Sequence, residues 1–428
     1  MKKVKFDMKK VKFLRDFIII LGISLAILFV SEMILRIVFP ENVKDSNIFA
    51  AYKFNDDYLI SIKPNITKKF VRIEENGGYI TLWKTNSNAF RGPELNTNPK
   101  YRVIVYGDSN IQARFSGRAR TFTYQFAHYL NRNGIPDVEV INAGVVGFGP
   151  DQSLIRFTNE IDKYRPNLVI FHIFADNDFG DILRNRLLSL DVNGNLIDTG
   201  YKNTVDENIL ISTRLKFFIS NLLTVRAFKK MILSLVKGNL SDEIMGKNNK
   251  KGVLLEHGKE NRINKLEKMC GAEYLVYKES KPRQFSHFAD HYDIDIALNP
   301  DQDSSKTKIR LMAEVLKEAN NVAYRKGVKF LVLIQPSIVD MTKDNSILSY
   351  EYLRKFPKYK RTNLTDAVEK ICVSHNINFI NLFNLFIKNN PEDLFFRAGD
   401  DHWTDQGQRL AAKEAALYMI QRAMIEKE

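Results

Sequence analysis

Tyr101–Asn110 reads YRVIVYGDSN, and the rest of the chain is organised around it. Arg102–Tyr106 is a short β-branched and aromatic run of the kind that makes a buried strand. Gly107 breaks the run and permits a tight turn. Ser109 follows two residues later, at the carboxyl end of that strand, which is where ligands sit in open α/β sheets. A serine on such a strand-to-helix turn can present its hydroxyl to a substrate carbonyl. The turn is not the G-x-S-x-G elbow, because position 111 is Ile. A Gly-Asp-Ser turn also arises by chance, so the remaining sequence has to decide whether this serine reacts.

Outward from that stretch the pattern alternates between strand and helix. A helix is expected around Thr121–Asn131 and a second strand over Val138–Asn142, ending in AGVVGFGP. Pro150 opens a helix that runs to about Tyr164, since proline suits a first helical turn. Asn167–Phe174 (NLVIFHIF) is a third, continuously apolar strand. Between about Leu190 and Asp303 the alternation stops, and this part reads as an insertion or cap. It holds a basic, aromatic, amphipathic stretch, Ser212–Lys237, and a polar piece, Gly238–Lys268. The amphipathic stretch fits either helices packed on the core or a lid or membrane-surface helix beside the site. Alternation resumes with a helix over Ser305–Lys326, strand Lys329–Gln335, a helix over Leu364–His375, strand Ile377–Leu382 and a final helix from Asp405 to about Ile425. Apolar strands separated by helices predict a three-layer α/β/α domain with a mainly parallel sheet.

The N-terminus carries a different signal. Phe17–Phe39 is apolar except for Glu32 and Arg36, long enough for one membrane-spanning helix if those two charges snorkel to the interface. The first 16 residues hold seven basic and two acidic side chains. That excess predicts a single-pass helix with a cytoplasmic N-terminus and everything after Phe39 outside the cytoplasm. A cleaved signal peptide is the competing reading, but no A-x-A pattern follows the run, and no cysteine stands there for a lipid anchor. The organisation expected is a basic tail (1–16), an anchor (17–39), a tether and small β-rich apron (40–100) and one large domain (101–428) carrying the 190–303 insertion. The net charge of +14 raises nucleic-acid binding. No binding motif accompanies it, and an exported domain rarely meets nucleic acid, so an anionic surface or polymer is the better partner. Cys270 and Cys372 sit in no metal-ligand spacing, and spacing alone does not say whether they pair.

Three strand ends place polar groups at the edge where Ser109 stands. Gly144-Val145-Val146-Gly147 follows the second strand, and a glycine there can turn a bare N–H toward a developing oxyanion. Ala175-Asp176-Asn177-Asp178 follows the third, and an asparagine amide can donate beside it. Near the C-terminus, His402 lies two residues after Asp400 and just before a helix start. A serine needs a base for its proton, and the base needs a carboxylate to fix its tautomer. Asp400 and His402 can meet both needs.

These blocks resemble the SGNH, or GDSL-type, hydrolase superfamily. Gly107-Asp108-Ser109 matches the GDS block, Asn142–Gly147 resembles the glycine block, and Ala175–Asp178 resembles GxND with Ala175 for its first glycine. The last block is usually Asp-x-x-His, but position 399 is Gly. Asp400-x-His402-Trp403 is instead similar to membrane-linked members, alginate-type O-acetyltransferases among them. The resemblance spans about Tyr101–Leu190 and Ser305–Met424. It implies a flavodoxin-like domain, Ser109 as nucleophile, His402 as base, Asp400 (or its neighbour Asp401) as orienter, and an oxyanion site of the Ser109 and Gly147 N–H groups with the Asn177 side chain. It implies no metal or organic cofactor, an acyl-ester substrate, and either water or a sugar hydroxyl as acceptor. With the anchor it suggests acylated envelope polysaccharide. A general esterase or lysophospholipase, and a non-catalytic glycan-binding or assembly protein, are the rival readings.

Other candidates have plainer readings. Asp108 suits a turn-holding role and His172 a satisfied core histidine. His287, Asp290, His291, Asp293 and Asp295 crowd together without an ordered metal-ligand spacing. Asp176, Asp178 and Asp181 resemble a calcium loop only superficially.

Overall fold

A computed structural model of the full chain describes residues 8–38, 51–71, 80–201, 222, 224–225, 251–280, 291–342, 355–396 and 401–425. The chain divides into two compact units, residues 1–49 with 205–248 and residues 50–204 with 249–428.

In the first unit, α1 spans Met8–Val38, and its Arg15–Val38 part is long and apolar enough to cross a membrane. Length and composition fit an anchor or a signal sequence alike. Glu32 and Arg36 are not independent charges, because Arg36 Nε lies 2.8 Å from Glu32 Oε1. The other Glu32 oxygen accepts from the N–H and hydroxyl of Thr224, at 3.0 and 3.1 Å. Most of the amphipathic stretch Ser212–Lys237 lies outside the described residues.

The second unit starts with two hairpins, β1 (Tyr52–Asn55) with β2 (Leu59–Ile62) and β3 (Thr67–Val71) with β4 (Ile80–Lys84). The central sheet has five parallel strands: β5 (Tyr101–Tyr106), β6 (Val138–Asn142), β7 (Leu168–Phe174), β10 (Lys329–Gln335) and β11 (Asn378–Asn381). Their spatial order is β11-β10-β7-β5-β6, which is the doubly wound flavodoxin-like order 2-1-3-4-5. The order reverses beside β5, so the switch point lies at its carboxyl end, where Ser109 follows.

Apolar clusters cover both faces of the sheet. One contains Tyr106 and Phe171 with Phe157 and Leu316, the other Val105 and Ile170 with Phe126 and Ala412. β7 is buried at all seven positions, which accounts for its unbroken apolar sequence. Helices α3 (Phe122–Arg132) and α4 (Pro150–Tyr164) lie close to their expected bounds. The 190–303 region differs from expectation at its start. β8 (Leu188–Leu190) and β9 (Leu196–Asp198) form a hairpin closed by Asp191–Asn195. Its sequence signal is Asn193-Gly194, with Gly194 at φ +84°. Within the polar piece a helix begins at Lys251 and runs to Lys278. Both cysteines are free and buried.

Candidate active site

Ser109 is the first residue of a one-turn helix, α2 (Ser109–Gln112), and is 9% exposed. Asp108 caps that helix, its carboxylate accepting the Asn110 N–H at 2.8 Å. The far end of α2 turns left-handed at Ala113, and Arg91 closes it. The buried Arg91 guanidinium donates to the carbonyls of Gln112, Ala113 and Ser116. A cation is favourable at carbonyls left open by a helix C-terminus. Tyr52 from β1 bonds Gln112, and Thr81 from β4 donates to the Arg114 carbonyl at 2.8 Å. The two N-terminal hairpins therefore brace the Ser109 turn.

The glycine block braces it from the other side. Asn142 Nδ2 donates to the Ile111 carbonyl at 2.6 Å, and Val145 N–H donates to the Gly107 carbonyl at 3.0 Å. A Cβ on Gly144 would lie 2.3 Å from the Gln112 nitrogen and 2.7 Å from the Ile111 carbonyl carbon. Gly144 is thus needed for close approach. Gly147 instead adopts φ +70°. Gly144→Ala is expected to cost more than about 3 kcal/mol, since backbone cannot yield as a side chain can. Gly147→Ala should cost about 1–2 kcal/mol from left-handed strain. Urea unfolding of the two variants checks the ranking.

Asn177, 3% exposed, caps helix α5 (Asp178–Asn185) at the end of β7. Its carbonyl accepts from Asp181 N–H at 2.9 Å and from Arg184 Nη2 at 3.3 Å. Ser109, Gly147 and Asn177 stand after the neighbouring strands β5, β6 and β7. A narrow crevice is lined by Ser109, Arg114, Phe115, Phe396 and His402, among others; Gly147 and Asn177 are not on its wall. The Phe115 and His402 rings meet edge to face at 6.0 Å.

His402 Nδ1 lies 3.1 Å from Asp401 Oδ1, a carboxylate about a third exposed. The sequence favoured Asp400 as orienter; that residue lies outside the described ones.

The plainer candidates have protein partners. His172 is buried, its Nε2 2.8 Å from Gln335 Oε1 and its Nδ1 3.4 Å from Asp108 Oδ1, and burial lowers its pKa. Asp178 accepts the Phe174 N–H at 2.7 Å, Asp176 accepts from Ser337, and Asp181 pairs with Arg184. These three carboxylates serve different partners. Of the crowded set near the end of the insertion, His287 and Asp290 lie outside the described residues. Asp293 and Asp295, close enough with Cys270 to hold an ion, instead share the Lys308 ammonium at 2.7 and 3.0 Å.

His291 meets Glu273 at 2.8 Å, and Glu273 meets Arg184 at 3.2 Å. This buried ion cluster joins the helix Lys251–Lys278 to α5 and so to the cap at Asn177. Burial alone would lower the His291 pKa, but hydrogen bonds to Cys270 and Glu273, and the Glu273 charge, raise it to about 10. A raised folded pKa stabilises fully below the unfolded value, about 6.5, and the effect is lost as pH climbs to about 10. The thermal midpoint should therefore fall across that window. Glu273→Gln should flatten the slope while lowering stability at pH 6.

Residues 295–427 match a family model described as the SGNH hydrolase-like domain of the acetyltransferase AlgX. The match includes His402 and leaves Ser109, Gly147 and Asn177 outside it. No curated protein matches the chain by sequence. Among solved structures, the lipase/acylhydrolase from Enterococcus faecalis aligns at 10% identity and TM-score 0.36, covering 77% of this chain and 98% of its own. The acetyl xylan esterase AlAXEase aligns at 14% and 0.34, covering 74% and 100%. A catalytic mutant of Axe2, an acetylxylan esterase from Geobacillus stearothermophilus, aligns at 10% and 0.36, covering 77% and 96%. Likenesses this distant say nothing of substrate. Residues 295–427 are thus similar to the SGNH hydrolase-like domain of the acetyltransferase AlgX, a likeness that supports an ester hydrolase or O-acetyltransferase.

Proposed function

We propose that the chain is a serine O-acyl hydrolase or O-acyltransferase that acts on acylated polysaccharide outside the cytoplasmic membrane, tethered by α1. The observation that carries this reading is the crevice that Ser109 and His402 share. In the mechanism proposed, Ser109 Oγ attacks an ester carbonyl while His402 Nε2 takes its proton. The oxyanion forms against the Ser109 and Gly147 N–H groups and the Asn177 amide. The tetrahedral adduct collapses, the His402 proton goes to the departing alcohol, and the acyl group remains on Ser109. Water or a glycan hydroxyl, deprotonated by His402, then attacks the acyl-serine and restores Ser109.

Asp400 is assigned as the orienter on its spacing. Side chains i and i+2 share a face of an extended chain, whereas i and i+1 do not. The Asp401 contact is one that adjacent residues can make locally, and solvent screens a partly exposed carboxylate.

The test is labelling of the full-length protein in detergent micelles with a fluorophosphonate, followed by acetate release from acetylated polysaccharides. Modification of Ser109 with turnover supports the reading, and modification elsewhere or none sinks it. A reporter fused after Glu428 checks the location: activity confined to the outside is expected, and cytoplasmic activity would overturn the envelope substrate.

A further inference from the structure

His402 is flanked by two peptide groups, and side chains from other parts of the fold bind both. The Asp401 carbonyl accepts Gln335 Nε2 at 3.4 Å, and the Trp403 N–H donates to Asn110 Oδ1 at 3.0 Å. Asn110 is the residue after Ser109 and is 1% exposed. Its N–H and Nδ2 donate to the two oxygens of Asp108, at 2.8 and 3.3 Å. Its carbonyl accepts Gln408 Nε2 at 2.8 Å, and Gln408 Oε1 accepts the Phe122 N–H at 2.7 Å. The polar groups of Asn110 thus join the nucleophile turn to the segment that carries His402.

We propose that Asn110 is a positioning residue, which sets the separation of Ser109 and His402 by holding the peptide that follows the histidine. The proposal rests on the Ser109–His402 reading above. Its physical basis is leverage. The Trp403 nitrogen belongs to the peptide group attached to the His402 Cα, so a shift there moves the imidazole directly. Catalytic geometry is lost within about an ångström, with rate losses on the order of 10². An apolar residue at 110 would bury the Trp403 N–H without its acceptor, at a cost of packing as well as aim. For that reason the test exchanges donor for acceptor instead of deleting either.

In Asn110→Asp the Trp403 N–H keeps its acceptor, but two carboxylates face each other where Asn110 Nδ2 met Asp108. In Asp108→Asn two amide donors can face each other. The double variant Asp108→Asn/Asn110→Asp restores one donor and one acceptor. The amide that replaces the Asp108 carboxylate can still cap α2, and its oxygen can still face His172 Nδ1.

Hydrolysis of p-nitrophenyl acetate by the full-length protein in detergent is the assay, with Ser109→Ala beside the three variants. Each single variant should lose about 10²-fold in kcat with KM within about twofold. The double should regain at least about tenfold over the weaker single. Unchanged kcat in Asn110→Asp, an equal loss in kcat and gain in KM, or a double variant no better than the singles would overturn the proposal. Turnover that survives Ser109→Ala would instead overturn the function reading beneath it, and this proposal with it.

Discussion

Ser109→Ala and His402→Ala will each remove nearly all turnover, and the double variant will be little worse than either. In the proposed mechanism the nucleophile and its base act as one unit, so removing the second after the first takes away nothing still in use. Losses of roughly 10⁴–10⁶ in kcat are the scale for such pairs. What survives is binding and the oxyanion donors. Asn177→Ala should cost less, on the order of 10²–10³, because one donor goes while the nucleophile stays. None of the three should lower stability by more than about 1–2 kcal/mol, since they stand at the sheet edge and the apolar layers on both faces are untouched. Additive losses in the double variant would mean that Ser109 and His402 act in separate steps. An envelope phenotype that survives Ser109→Ala but not loss of the domain would make the protein a binding scaffold.

The fold was legible where one periodicity ran unbroken. Asn167–Phe174 reads as a buried parallel strand because β7 is covered on both faces, and Pro150 marks its helix start to the residue. What stayed hidden depends on partners far along the chain. Asn110 lies inside the stretch that decides the fold, yet its bond to Trp403 spans 293 positions. Arg91 sits in a polar loop that reads as tether, and nothing local says that three carbonyls of the Ser109 turn await it. Gly144 and Gly147 look alike as letters. Only the approach of Gln112 shows that Gly144 needs room, and only the backbone shows that Gly147 needs φ. The Asn193-Gly194 turn was legible by rule, but the surrounding polar sequence masked the three-residue strands it joins.

Replacing the two aspartates before His402 will separate their roles. Asp400→Ala is expected to lower kcat by about 10³–10⁴, the scale of losing the carboxylate that fixes the tautomer of a catalytic histidine. Asp401→Ala should cost less than about tenfold. The argument turns on solvent. An orienter stabilises the imidazolium through a pair held out of water, where the Coulomb interaction is several times its value at the surface. Asp401 Oδ1 is 3.1 Å from Nδ1, but its side chain is 33% exposed, so water competes for the same charge. Its backbone carbonyl also links it to the site, accepting Gln335 Nε2 at 3.4 Å, and alanine retains that bond. The pH profile adds a second discriminator. Losing the true orienter lowers the pKa of His402 in the free enzyme, so the acidic limb of kcat/KM should move to lower pH in that variant alone. If Asp401→Ala gives the large loss and the shifted limb while Asp400→Ala gives neither, the 3.1 Å contact is the functional one and the orienting role passes to Asp401.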